Sequence, residues 1–367
     1  MQDQRTIVCV IGTRPEAIKM APVIRALRAD SRFRCVVVAT AQHRGLLDQM
    51  LERFRIDVDH DLDLMTEGQS PSELIARMLP ALDAVLAQER CDAVLAQGDT
   101  TTVFVSALAA FHRKLPFGHV EAGLRTYDLE HPFPEEGYRQ MVSRIARWHF
   151  APTRGAAEAL LKENVPADRV HVTGNTCIDA LMQTVAELPQ ASSGTERLVL
   201  LTAHRRENFG ARLASVFEAV RTLADRYADV RFVYPVHPNP NVRSAAKAQL
   251  GGHPRIELVE PLDYFAFVEL MRRATLILTD SGGVQEEAPA LGKPVLVLRD
   301  TTERPEALAC GSSRLVGTDT STILEEVSVL LDMPDRLAGM SQVRYPYGDG
   351  AATLEIVRVL SESMMSA

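Results

Sequence analysis

The chain has 367 residues, 46% hydrophobic and 24% charged, which suits about two domains with ordinary cores. Its net charge of −8 argues against a general nucleic-acid binder, yet leaves room for a local basic pocket around an anionic small molecule. Cys9, Cys35, Cys91, Cys177 and Cys310 are scattered without a metal-ligand spacing, so reduced core thiols are expected and no metal. MQDQRTIVCVIG starts a strand without a signal-peptide pattern, and no apolar run reaches membrane-spanning length; a cytoplasmic location with no membrane insertion is expected.

Apolar strand-like runs alternate with amphipathic helical segments along the whole chain. TIVCVIG precedes a helix at 15–29, CVVVATA one at 43–54, AVLAQGD one at 100–114, and FGHVEAG one at 135–147. The theme repeats with RLVLLTAH before 210–227, RFVYPVH before 240–250, RIELVEP before 263–274, TLILTD before 283–291, and a last strand PVLVLRD. Continuous apolar strands with helical crossovers predict an α/β fold of two doubly wound, Rossmann-like parallel sheets. The expected division is 1–170 plus 351–367 against 171–350, with a soft stretch at 187–198 and a closing helix at about 352–363 after the turn-rich YPYGDG.

In open parallel sheets, ligands bind beyond the carboxyl ends of the strands. Here those ends carry Gly12-Thr13-Arg14, Gly98-Asp99, Glu121-Ala122-Gly123, His204-Arg205-Arg206, His237-Pro238 and Asp280-Ser281-Gly282-Gly283. Ser281, Gly282 and Gly283 open a helix after a buried strand, where free N–H groups and the helix dipole suit a phosphate. Glu286 and Glu287 follow and can accept bonds from a ribose diol or simply cap. Arg14 and Lys19 add positive charge near the first helix N-terminus; the alternatives are local pairing of Arg14 with Glu16 and a solvated Lys19. Asp99 can cap the helix after it. Glu121 faces the strand-end cleft, and Glu135 and Glu136 start a helix whose dipole they suit. If Asp99, Glu121 and Glu135 converge, beside Arg125 and Arg139, they form an acid/base set fit to move a proton at carbon. His204 leads a basic loop; His237 is the weaker candidate. A P-loop, GxGxxG, GxSxG and HExxH are all missing.

The ordered set GTRPEAIKMAPVI, TAQHRGLLDQML, QGDTTT, HVEAGLRT, HPFPEE, VTGNTCIDAL, TAHRREN, YPVHPNPNVR, TDSGGVQEEAP and RDTTERPEA resembles the non-hydrolysing bacterial UDP-N-acetylglucosamine 2-epimerases over about residues 7–350. The resemblance implies a glycosyltransferase-B architecture with the active site in an interdomain cleft, a homodimer, and C2 epimerisation of UDP-GlcNAc to UDP-ManNAc with no cofactor. It implies Asp99, Glu121 and Glu135 as acid/base carboxylates, with His204 and Arg139 stabilising developing charge. Arg14, Lys19, Ser281, Gly282, Gly283 and Glu287 would bind UDP, Glu287 on the ribose and Phe267 against the uracil. A second, activating UDP-GlcNAc site would use Gln42, Arg77, Glu136, Arg205 and His237. The chain departs from the pattern there: Gly45 stands where Gln or Glu is expected, and Tyr138 where Asn is usual, so activation is expected to be weak or absent.

Overall fold

The structure is a computed structural model that describes residues 4–40, 44–66, 68–189 and 197–365. Gln42, most of the 187–198 stretch, and the side chains of residues 44–46 and 206 lie outside the described residues. The chain forms two compact units, Met1–Ala180 with Tyr347–Ala367, and Leu181–Pro346. The sequence pattern set these divisions at 170/171 and 350/351.

The first unit contains a parallel sheet of β1 (Arg5–Ile11), β2 (Phe33–Ala39), β3 (His60–Asp61), β4 (Ala93–Gln97), β5 (Phe117–Val120), β6 (Trp148–Ala151) and β7 (Val170–Val172). Their spatial order is β3-β2-β1-β4-β5-β6-β7. Val8 sits between Val36 and Val94 in register, and the strand valines pack on Leu74, Met78, Leu82 and Val105 from the covering helices. Burying each such side chain contributes about 1.5–3 kcal/mol, which explains why these runs are continuously apolar.

The second unit repeats the plan with β8 (Arg197–Thr202), β9 (Val230–Pro235), β10 (Ile256–Val259), β11 (Leu276–Thr279), β12 (Val295–Val297) and β13 (Ser313–Leu315), ordered β10-β9-β8-β11-β12-β13. Val199, Leu201, Leu278 and Leu296 pack on Leu213, Phe217 and Val220 of the helix Ala211–Arg226. The helix expected over 283–291 is shorter: Gly282–Glu287 is α-helical and Ala288–Leu291 continues as a 3₁₀ turn. Pro289 lacks the N–H that an uninterrupted helix needs there.

In each sheet the strand order reverses once, between β1 and β4 and between β8 and β11. Such a switch leaves a crevice beyond the strand ends, because the two crossovers leave in opposite directions. The turns carrying Arg14 and Asp99 flank the first reversal, and those carrying His204 and Ser281 flank the second.

Candidate active site

In the first unit, the turn after β1 lies low over the hydroxyls of Thr40 and Thr102, which are 3.0 Å apart. A Cβ at Gly12 would collide with both, so glycine lets the turn sit this deep. Glu16, in the first turn of the helix Arg14–Ala29, bends back: Oε2 accepts from the Gly12 N–H (2.6 Å) and the Thr13 N–H (2.9 Å), and Oε1 accepts from the Thr100 hydroxyl (2.5 Å). Burial pushes its carboxyl up to about 7, against these hydrogen bonds. Glu16 is therefore committed, and the local Arg14–Glu16 pair does not form. Arg14 has no ion pair among the described residues, and burial lowers its pKa.

Lys19, further along the same helix, donates to Glu121 Oε2, and Asn175 Nδ2 donates to the same oxygen at 2.9 Å. Glu121 follows β5 with φ +65°, a left-handed conformation that costs a non-glycine residue about 1–2 kcal/mol. Only 7% of its side chain is exposed, and Oε1 accepts no hydrogen bond among the described residues.

Asp99 does not cap the helix that follows it. Thr100 does, through its side chain and Val103 N–H. Asp99 instead binds Arg139, whose Nε (2.8 Å) and Nη2 (2.5 Å) both meet Oδ2, leaving Oδ1 without a hydrogen bond among the described residues. Arg139 also contacts Glu136 at 3.2 Å. Glu135 begins the helix Glu135–Ile145, half-buried, with no ion pair among the described residues. It precedes Arg139 by four residues, so both lie on one helix face and Glu135 stands one turn from the Asp99–Arg139 pair.

Glu136 points inward. It is fully buried and accepts from the N–H groups of Thr126 (3.0 Å) and Tyr127 (3.2 Å), from Gln140 (2.9 Å) and from Arg139. Burial would raise its pKa, but these bonds outweigh burial and lower it. Tyr138 turns away and stacks on Phe104, centroids 4.9 Å apart. Arg77 lies on the helix Pro71–Glu89 with Nε and Nη2 buried and without hydrogen-bond partners among the described residues.

In the second unit, fully buried Asp280 organises the turn after β8. Its Oδ2 accepts from the N–H groups of His204 (2.8 Å) and Arg205 (2.9 Å) and from Asn208 Nδ2 (3.1 Å). His204 Nδ1 lies 3.3 Å from Asp280 Oδ1, and its ring stacks on His237 at 5.4 Å. Gly282, at the start of its helix, has the guanidinium groups of Arg304 and Arg205 about its missing side chain, at 3.5 and 3.6 Å. Arg304 Nε is held by buried Glu286 at 2.7 Å. Burial, then the charge of Arg299, lowers the pKa of Arg205. Two guanidinium groups beside a helix start make an anion receptor. Ser281 makes no side-chain cap bond, and Gly283 is exposed.

Glu287 is buried and accepts from the Tyr264 hydroxyl at 2.9 Å. Phe267 lies on the same helix as Tyr264, Tyr264–Arg273, and is half-buried, whereas Phe265, Val268 and Met271 form its core side. Phe267 is thus not an ordinary core phenylalanine.

Four residues that shape these ends carried no assigned role in the sequence: Glu16, Asn175, Asp280 and Arg304. Each sits inside a motif, but only tertiary contacts reveal what it holds. Among the described residues, no group of three or more His, Cys, Asp or Glu could hold a metal.

Two doubly wound sheets, one ending in oriented carboxylates and the other in oriented basic groups, define a protein of the glycosyltransferase-B class. The family model described as UDP-N-acetylglucosamine 2-epimerase matches residues 25–361. A UDP-N-acetylglucosamine 2-epimerase from Bacillus subtilis is 49% identical over 96% of this chain and 94% of its own length. One from Escherichia coli is 46% identical over 98% of this chain and 99% of its own. The crystal structure of UDP-GlcNAc 2-epimerase from Neisseria meningitidis bound to UDP-GlcNAc is 46% identical, covers 97% of this chain and 100% of that one, and superposes with a TM-score of 0.92. The chain belongs to the UDP-N-acetylglucosamine 2-epimerase family.

Proposed function

We propose that the protein interconverts UDP-N-acetylglucosamine and UDP-N-acetylmannosamine, as a non-hydrolysing epimerase working by elimination and re-addition of UDP. One observation carries the acid/base part: Asp99 and Glu121 are each held through a single oxygen, by Arg139 and by Lys19 with Asn175, leaving the other oxygen uncommitted among the described residues. A carboxylate held this way is aimed but still able to take or give a proton. Inversion at C2 needs a proton removed from one face and another delivered to the opposite face, hence two such groups. Two of Asp99, Glu121 and Glu135 take these roles.

In the first half-reaction the C2–H bond breaks, its electron pair forms the C1=C2 bond, and the C1–O bond breaks to release UDP, giving 2-acetamidoglucal. In the second, UDP oxygen bonds to C1 and a proton adds to the other face of C2. No electron acceptor is required, which fits a reaction without a redox cofactor. Negative charge grows on the leaving diphosphate, and Arg14, His204 and Arg139 are assigned to it. Ser281, Gly282 and Gly283 take a phosphate, Glu287 the ribose, and Phe267 the uracil. The working form is assigned as a homodimer.

Proton NMR of the protein with UDP-GlcNAc in D₂O tests the proposal. Deuterium at C2 with UDP-ManNAc accumulating is the expected result. Free ManNAc with UDP would assign a hydrolysing enzyme, and no exchange with no product would overturn the epimerase reading.

A further inference from the structure

Asp99 is flanked by two buried ionisable groups that the proposed reaction does not use. On one side, the Gly98 carbonyl accepts from His119 Nε2 at 2.6 Å. On the other, the Thr100 hydroxyl donates to Glu16 Oε1. His119 is 0% exposed and Glu16 2%, so neither presents a polar atom to solvent. They come from different elements: His119 is on β5, two residues before Glu121, and Glu16 anchors the turn after β1. The turn after β4 is thus tied to both neighbouring strands of the sheet.

Packing alone explains neither group. A carbonyl only accepts, so His119 must carry its proton on Nε2, which leaves Nδ1 bare, buried and without a partner among the described residues. A phenylalanine would fill that volume without the orphaned nitrogen, whose desolvation is unfavourable. A capping-box glutamate needs only the backbone of its own turn and is commonly exposed. Glu16 is buried and reaches a second turn.

We infer that Glu16 and His119 are positioning residues, a buried brace that pins the Gly98–Thr100 turn from both sides and so fixes the direction of Asp99 Oδ1. This rests on the acid/base role proposed for Asp99. Gly98 has φ +92°, a conformation from which an unbraced turn can rearrange. A carboxylate displaced by about 1 Å can lose of order 100-fold in rate, although nothing touching substrate has changed.

The test uses the full chain, with kcat and KM for UDP-GlcNAc, C2 deuterium exchange, and thermal melting of each variant. Glu16→Ala and His119→Asn remove the two ties and should lower kcat and exchange by roughly 10- to 100-fold, with KM moving about threefold or less. Glu16→Gln keeps an acceptor for the two backbone N–H groups and a polar atom beside Thr100. His119→Gln keeps an N–H near the Nε2 position. Both should hold kcat within about threefold of the parent, a rescue that a purely structural role does not require. Thr100→Val cuts the Glu16 tie from the other end and should reproduce the kcat loss even if Glu16→Ala fails to fold. Folded Glu16→Ala, His119→Asn and Thr100→Val proteins with unchanged kcat would overturn the brace, as would glutamine variants as damaged as the rest. Asp99→Asn is the control. If it keeps full exchange, the acid/base assignment has failed, and the brace with it. If Asp99→Asn is inactive while the brace variants are normal, the brace alone has failed.

Discussion

The ligand ends of the two sheets are built with opposite polarity. In the first unit, cations aim acids: Lys19 holds Glu121, and Arg139 holds Asp99. In the second, acids aim cations: Glu286 holds Arg304, Glu207 and Glu303 hold Arg299, and Asp280 fixes the backbone that presents His204 and Arg205. On the proposed function, the same fold serves as a proton-transfer surface or an anion receptor, depending on which sign of charge is locked behind and which is left facing the ligand. Topology places the crevice at the strand-order reversal in both sheets, and side chains decide its chemistry.

The sharpest way to break this comparison is to neutralise one charge on each side. Asp99→Asn and Glu121→Gln should lower kcat by about 10²–10⁴-fold, the usual contribution of a general acid or base. UDP affinity, measured by calorimetry, should change little. The Arg304→Met variant, combined with Glu286→Gln so that no buried carboxylate is stranded, should weaken UDP binding by roughly 10- to 100-fold, the worth of a hydrogen bond to a charged group. Its kcat at saturating substrate should stay near the parent value. Loss of UDP binding in the first pair, or of saturated kcat in the second, would show that the division of labour is wrong.

Acid should also separate the two units. Burial pushes His119 down to about 4 and His149 down to about 3, and both His149 ring nitrogens are buried without hydrogen bonds among the described residues. Their folded pKa values lie below the unfolded value near 6.5, so the unfolded state takes up protons first. The stability they carry at neutral pH is lost progressively as pH falls from about 6.5 toward 4. Going from pH 7.5 to 5 costs about 2 kcal/mol per histidine. Glu16 acts the other way: its folded pKa near 7 exceeds the unfolded 4.5, so protonation on acidification favours the folded state by about 2 kcal/mol over the same range. The net loss should be about 2 kcal/mol, and in Glu16→Gln about 4 kcal/mol, read from denaturant midpoints at the two pH values. Hydrogen exchange should place the loss in the first unit. Equal acid sensitivity of both units would contradict this.

How far the sequence carried these conclusions follows from strand length and burial. The nine apolar runs read as strands all exist; most are buried on both faces and so continuously hydrophobic, whereas the edge strand β10, IELV, is fully buried only at Ile256. The four strands not anticipated, β3, β6, β7 and β13, are 2, 4, 3 and 3 residues long. All four contain histidine or arginine, and none is long enough to show a period. Charged residues at strand ends were legible because they interrupt apolar runs. Their committed oxygens were not, since Lys19 lies 102 residues from Glu121 and Asn175 lies 54 away. The capping box Thr13–Glu16 is visible in sequence, but nothing local says that Glu16 also reaches Thr100, 84 residues on.

The smallest expected effect concerns the activating site. Glu136 has no acceptor capacity to spare, since Thr126, Tyr127, Gln140 and Arg139 all bind it, and Gly45 offers no side chain where the family pattern has Gln or Glu. The Nε and Nη2 of Arg77, buried and without hydrogen bonds among the described residues, then carry a desolvation cost. Arg77→Met should therefore stabilise the protein by about 1 kcal/mol, because an apolar side chain of similar length leaves no donor unsatisfied. The rate curve in UDP-GlcNAc should be close to hyperbolic, with a Hill coefficient near ~1, in both the parent and this variant. A sigmoidal parent curve that collapses in Arg77→Met would mean that the guanidinium binds a second substrate molecule. Arg77 would then join Arg14, already assigned to the diphosphate, as a ligand-facing cation of the first unit, and the division of charge would hold only for side chains that an opposite charge locks in place.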